Sequence, residues 1–261
     1  MSEAPIRVTV NCAVLEVVLD NPKANAISAA TSRVMGETFA AFRDDANLRV
    51  AIVTGGGEKF FSAGWDLKGA AEGEPPDADY GIGGFAGLQE LPNLNKPVIA
   101  ALNGMAVGGG FELALSCDMI LAAPHVRFSL PEIRAGTLAD AATIKLPRRI
   151  PYHVAMDLLL TGRWMDVEEA HRWGLVNEIV PADQLMTRAR ELAALLASGP
   201  PLVFAAIKEV ARESETLSAQ AALARVMKRD FPTVAKLYSS EDQLEGAKAF
   251  AEKRDPVWAG R

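Results

Sequence analysis

Residues 97–118 read PVIAALNGMAVGGGFELALSCD, and this stretch decides the fold. Val98-Ile99-Ala100-Ala101-Leu102 is an apolar run too short for a free-standing helix. Bounded by Pro97 and by Asn103-Gly104, it predicts a strand buried on both faces, as in a parallel sheet covered by helices. Gly108-Gly109-Gly110 follows and leads straight into Phe111-Glu112-Leu113-Ala114-Leu115-Ser116, a good helix former. Glycines at a helix start bring bare N–H groups up to a ligand at the positive end of the helix dipole, which suits a negative charge. Glu112 falls in the first turn, so a carboxyl group stands beside that anion site. The pairing suits a reaction in which an oxyanion forms while a carboxyl moves a proton. By themselves the three glycines fit a flexible connector equally well, and a first-turn Glu fits simple dipole complementation. Neither a dinucleotide fingerprint nor a phosphate-cradling loop is present.

Working outward, residues 6–20 alternate as two strands joined near Asn11-Cys12. Turn chemistry spans 20–26, and Ser28 is placed to cap a helix reaching about residue 43, with Met35, Phe39 and Phe42 on its apolar face. Residues 50–54 predict a second fully buried strand. Strand, helix and buried strand together make a right-handed crossover, the start of an α/β layer. Residues 60–67 form a strand-to-helix corner, 70–84 predict a mobile surface loop, and 85–91 a short helix. Strands are expected at 119–122 and 127–130. Helices are expected over 140–150, 154–160, 167–173, 182–197, 201–212, 218–228 and 241–253. The division expected is a core over 1–199 and a purely helical region over 200–261.

The chain has 261 residues, 49% hydrophobic, with a net charge of −6. The acidic balance argues against nucleic acid or an anionic membrane as partner. No apolar run reaches the length of a membrane span and the start, MSEAPIRV, lacks a signal peptide, so a cytoplasmic protein is expected. Cys12 and Cys117 lie in apolar segments and are expected as buried free thiols. His125, His153 and His171 lack metal-ligand spacing, so no metal site is expected.

Four motifs, in order and in spacing, resemble the crotonase (enoyl-CoA hydratase/isomerase) superfamily. They are Phe61-Ser62-Ala63-Gly64-Trp65-Asp66-Leu67, the run from Lys96 to Gly104, Gly108-Gly109-Gly110-Phe111-Glu112-Leu113-Ala114, and Leu130-Pro131-Glu132. The stretches 20–27, 64–68 and 83–88, the acidic residues of the 72–79 loop (Glu72, Glu74, Asp77, Asp79) and the tail 252–258 are similar to the carnitinyl-CoA dehydratase branch. The resemblance implies an α/β spiral of repeated ββα units with a C-terminal helical oligomerisation region, assembled as a trimer or a dimer of trimers. It implies reversible hydration of a CoA thioester, in that branch L-carnitinyl-CoA to crotonobetainyl-CoA plus water. CoA enters as part of the substrate, with no further cofactor. A short-chain enoyl-CoA hydratase or isomerase is the alternative, and a non-catalytic acyl-CoA-binding or RNA-binding member is an alternative of another class.

Residue by residue, the resemblance implies that backbone N–H groups of Trp65 and Gly109 hold the thioester oxygen. Glu112 and Glu132 match the catalytic carboxyls, although Glu132 taken alone reads as a helix-start residue after Pro131. The turn Lys23-Ala24-Asn25-Ala26 and the corner Ala63, Gly64, Asp66 and Leu67 match CoA-binding positions. Lys253 matches a position that reaches CoA phosphates from a neighbouring subunit, or else is a solvated surface lysine. The acyl pocket is expected from Trp65, Tyr80, Phe85, Phe111 and Asp140, with Asp140 also reading as a helix N-cap. The segment 139–143 departs from the superfamily: it lacks a Pro and a Gly-Gly pair and is one residue short, so a reshaped acyl wall is expected.

Overall fold

The computed structural model of the protein describes residues 5–73, 75 and 77–261. Val98–Leu102 is buried along its whole length at the centre of a six-stranded sheet. The order runs Ile6–Asn11, Val14–Leu19, Val50–Gly55, Val98–Leu102, Met119–Ala122, Glu178–Ile179. Only the first pair is antiparallel, with Ile6 opposite Leu19 and Asn11 opposite Val14; the other pairings are parallel. Leucine, isoleucine and valine on both faces of the inner strands leave them no side for water, so helices must cover them, whereas the edge strand Ile6–Asn11 is exposed beyond Ile6. Helix Ala29–Asp44 does so with Met35, Phe39 and Phe42, and it starts where Ser28 Oγ accepts from Thr31 N. Helix Leu185–Ala197 packs over the strands Val50–Gly55 and Val98–Leu102.

A second, smaller sheet lies alongside, in the order Met165–Asp166, Arg127–Ser129, Met105–Val107, Phe60–Ser62. Its central pairings are parallel, Phe128 with Ala106 and Phe60 with Met105. The chain thus repeats one unit: a strand in the large sheet, a strand in the small sheet, then a short helix. Val50–Gly55, Phe60–Ser62 and Leu67–Ala71 form one turn of this spiral. Val98–Leu102, Met105–Val107 and Gly109–Leu115 form the next, followed by Met119–Ala122, Arg127–Ser129 and Glu132–Ala135. Three consecutive strand-to-helix corners are therefore stacked at one end of the small sheet.

Several expectations are corrected. Cys12 is exposed at the hairpin between the first two strands, at φ +52°, and only Cys117 is buried. The helix expected over 85–91 is a single 3-10 turn, Phe85–Gly87, because Ala86 takes a left-handed φ of 55°. The helix expected over 140–150 is Asp140–Lys145 followed by the 3-10 turn Leu146–Arg148. Helix Pro232–Tyr238, opened by its proline, was not legible as a separate element. Part of the 70–84 segment belongs to helix Leu67–Ala71, and further on an Arg33 guanidinium N–H donates to the Asp79 carbonyl. Glu74 lies outside the described residues. From Pro201 onward the chain is helical, with a small apolar cluster of Ala206, Phe231 and Val234. Among the described residues no single helix is long and apolar enough to cross a membrane.

Candidate active site

The turn 21–26 and the corner at Gly64 are built as one piece. Asn25, buried and at φ +52°, donates from Nδ2 to the carbonyls of Gly56, Phe60 and Phe61 at 2.9, 3.0 and 3.2 Å. Ser62 Oγ returns a bond to the Asn25 carbonyl at 2.7 Å, and Ala63 N donates to the Ala24 carbonyl at 2.9 Å. Ala26–Ile27 then pairs with Gly64–Trp65. The Asn25 side chain is therefore spent on holding the corner, and Lys23 stands exposed beside it. Asp66 continues the corner through its N–H to Ile27, its Oδ1 accepts from Lys68 N, and Leu67 is exposed at the start of the next helix. Lys253, exposed, closes helix Asp242–Glu252 in a left-handed conformation. No hydrogen bond joins it to the 23–26 turn among the described residues.

Each glycine of the triplet is needed for a different close approach. A Cβ on Gly108, at φ +54°, would lie 2.6 Å from Glu132 Oε1. One on Gly109 would lie 2.4 Å from the Phe85 ring, and one on Gly110 2.3 Å from the Ser62 carbonyl. A Cβ on Gly64, at φ +81°, would stand 2.6 Å from Gly109 N. Gly64-Trp65 thus abuts the first N–H of helix Gly109–Leu115, a donor outside the intrahelical ladder. The triplet is a packed corner in which backbone, ring and carboxyl meet, and a flexible connector is ruled out.

Glu112 and Glu132 meet over this corner in unlike surroundings. Glu112 is buried, with Oε1 accepting from Ala142 N at 2.9 Å and Oε2 from Gln89 Nε2 at 3.3 Å. Burial raises its pKa, and these two donors oppose the rise. Glu132 Oε2 is buried without a hydrogen-bond partner among the described residues. Burial, and then the neighbouring charges of Glu112 and Asp140, push the Glu132 carboxyl up to about 7. Around neutrality, then, Glu112 is the group equipped to carry charge and Glu132 the one equipped to carry a proton. The Trp65 indole N–H is also buried without an acceptor. Two of the three such buried polar atoms among the described residues therefore fall on site residues, the mark of a pocket shaped for a polar ligand.

The Phe85 ring crowds Gly109 and meets Tyr80 edge-on with ring centroids 5.4 Å apart, so an aromatic wall begins at the corner of Gly64 and Gly109. Phe111 is not part of that wall: it is turned into the core against Phe128, with ring centroids 5.0 Å apart. Asp140 is not a cap either. Ala139 occupies the N-cap position with no side-chain bond, and Asp140 stands exposed in the first turn, close enough to act on both carboxyls. The departure at 139–143 carries the Ala142 N–H that fixes Glu112, a contact the sequence did not announce. Gln89 was missed as well; beside Glu90, between Leu88 and Leu91, it carries no local signal of its role. Among the described residues no group of three His, Cys, Asp or Glu is placed to hold a metal.

The profile of the enoyl-CoA hydratase/isomerase family matches residues 9–261. The chain belongs to that family. It is 54% identical over 264 aligned positions to a carnitinyl-CoA dehydratase of Salmonella arizonae, covering 100% of both chains. It is 53% identical to a carnitinyl-CoA dehydratase of Proteus mirabilis over 98% of both. Among solved structures, an enoyl-CoA hydratase of Mycobacterium tuberculosis superposes with a TM-score of 0.90 at 38% identity, covering 99% of this chain and 100% of that one. An enoyl-CoA hydratase of Mycobacterium marinum gives the same figures. The crotonase-type spiral is thus the fold of this hydratase/isomerase family member.

Proposed function

We propose that the protein catalyses the reversible addition of water to an enoyl-CoA thioester, with L-carnitinyl-CoA and crotonobetainyl-CoA plus water as its pair. The observation that carries the reading is the unequal equipment of two carboxyls over one oxyanion corner. In hydration the Glu112 carboxylate takes a proton from water as its oxygen attacks the β-carbon. Charge gathers on the thioester oxygen, where the N–H groups of Trp65 and Gly109 receive it, each such donor being worth roughly 10²–10³ in rate. Glu132 gives its proton to the α-carbon, and the pair ends with the proton on Glu112. Dehydration runs the same steps backward. The CoA moiety of the substrate is the only carrier this chemistry needs.

The carnitinyl acyl end bears a trimethylammonium group, which has no N–H to donate and is held by aromatic faces. The wall of Phe85 and Tyr80, with the Trp65 indole beside the corner, supports that choice. So does full-length identity to relatives named carnitinyl-CoA dehydratase. Lys23, Ala24 and Ala26 with Ala63, Gly64, Asp66 and Leu67 form the CoA side of the site. The helical region 200–261 acts as the oligomerisation region of a trimer or dimer of trimers, in which Lys253 reaches a neighbour's CoA. Exposed Leu223, Met227 and Phe250 on its helices support that assembly. The cytoplasm, where CoA thioesters are made and used, is the proposed location.

The test is to incubate the purified protein with crotonobetainyl-CoA and with crotonyl-CoA and follow loss of the enoyl absorbance. Faster turnover of crotonobetainyl-CoA supports the reading. Preference for crotonyl-CoA assigns a short-chain enoyl-CoA hydratase instead, and inertness toward both removes the catalytic reading.

A further inference from the structure

A cavity of about 660 Å³ lies between helix Pro201–Glu213 and the segment 144–149, with Gln89, the donor to Glu112, in its wall. Leu88, Leu91, Leu94, Met119, Phe204 and Ile207 line it with apolar surface. Set into the same wall are five cations, Lys145, Arg148, Arg149, Lys208 and Arg212, against two carboxylates, Asp118 and Glu215. Three of the cations are neutralised: Arg148 by Glu215, Lys208 by Asp118 at 2.7 Å, and Arg212 by Glu213 at 3.3 Å. Lys145 and Arg149 are not. Lys145 Nζ donates to Ser116 Oγ at 2.9 Å and Arg149 to the Cys117 carbonyl at 3.5 Å, both neutral acceptors, and no ion pair involves either among the described residues. Lys145 is half-buried and Arg149 exposed at the rim, and the more distant charges of Glu112 and Glu215 offset Lys145 only in part, so this wall keeps an excess of positive charge that an anionic head would meet.

We propose that this cavity is a second binding site, for an amphipathic monoanion of the fatty carboxylate class, its chain on the apolar wall and its head between Lys145 and Arg149. The volume is in the range of small-molecule sites, and the mix of apolar lining with a few convergent charges is what such sites share. The cavity is unsuited to the acyl end of the proposed substrate, because a trimethylammonium group would face the same excess of positive charge. Burial, and next the repulsion from Arg149, hold the Lys145 amine below the usual lysine range, and a bound carboxylate relieves both.

The test is calorimetric titration of the intact protein with dodecanoate, dodecanol and dodecyltrimethylammonium. Dodecanoate is expected to bind once per chain, about tenfold or more tighter than dodecanol, and the cationic amphiphile not at all. The paired substitution Lys145→Met and Arg149→Leu removes the preference for the carboxylate. Ile207→Trp, on a half-exposed position of helix Pro201–Glu213, fills the cavity and weakens dodecanoate about tenfold while leaving both cations in place, so the site remains testable if the paired variant fails to fold. Binding persists with the active site saturated by acetyl-CoA. Equal affinity for dodecanoate and dodecanol, complete displacement by acetyl-CoA, or undiminished binding in Ile207→Trp overturns the proposal.

Discussion

Gln89 Nε2 donates to Glu112 Oε2 at 3.3 Å, from a segment 23 residues earlier in the chain that belongs to a different turn of the spiral. With Ala142 N on the other oxygen, it clamps the carboxyl from two sides, one donor from before the helix and one from after it. The clamp orients Glu112 and favours its ionised form.

Replacing Gln89 by Leu leaves Glu112 Oε2 buried without a donor. A hydrogen bond to a charged group is worth about 1.5–3 kcal/mol, so kcat should fall by about ten- to a hundredfold. Affinity for a CoA thioester should change little, since the CoA side proposed for the site lies at the 23–26 turn and the Gly64 corner. A fall in affinity equal to the fall in kcat would make Gln89 a binding residue.

Glu112→Gln and Glu132→Gln each remove one member of the proposed proton pair. Each should lower turnover by about 10²–10⁴ and keep thioester binding, measured by calorimetry with a non-reacting acyl-CoA. A variant that keeps more than about a tenth of wild-type turnover removes that residue from the pair.

The pH profile follows from counting protons. In the proposed mechanism hydration starts with the proton on Glu132 and ends with it on Glu112, so both directions require the pair to hold one proton. Burial first, and the Glu112 charge after it, place the Glu132 carboxyl at about 7. Above that pH the last proton is lost, and kcat/KM should fall about tenfold per pH unit in hydration and in dehydration alike. An alkaline limb in one direction only would contradict the shared proton.

The same shift has a stability consequence of fixed sign. The folded pKa of Glu132, about 7, lies above its ordinary value of 4.5. Its favourable contribution is therefore complete below about pH 4.5 and is lost as pH rises through about 7. Glu132→Gln stays neutral throughout. Its melting temperature should exceed that of the wild type at pH 8, by about 2–4 °C for each kcal/mol recovered, with the gap closing toward pH 4.5. A gap independent of pH would assign the effect to packing.

Phe85→Leu and Tyr80→Leu test the aromatic wall. A desolvated cation on a ring is worth up to about 2 kcal/mol, so each substitution should cost carnitinyl-CoA about tenfold relative to 3-hydroxybutyryl-CoA. Equal losses on both thioesters would remove the cation contact.

The large sheet was legible in the sequence because hydrophobic period and length suffice for it: 50–53 and 98–102 are apolar throughout, so no register leaves them a wet face. Ser28 as a cap, the helix after the triplet and the candidacy of Glu112 rest on equally local chemistry. The small sheet was not legible as a sheet, since strands of two or three residues such as Met105–Val107 carry no period, and their pairing is decided by the stacking of successive corners. That stacking is what brings Trp65, Gly109 and Glu132 together. For the same reason the glycines of the triplet read as freedom in sequence and as close contact in space, with Glu132, Phe85 and Ser62 arriving from three other segments. Which carboxyl keeps the proton was decided last and by tertiary structure alone. A glutamate's charge depends on the donors that burial places around it, and Gln89 and Ala142 stand beside Glu112 only in the folded chain.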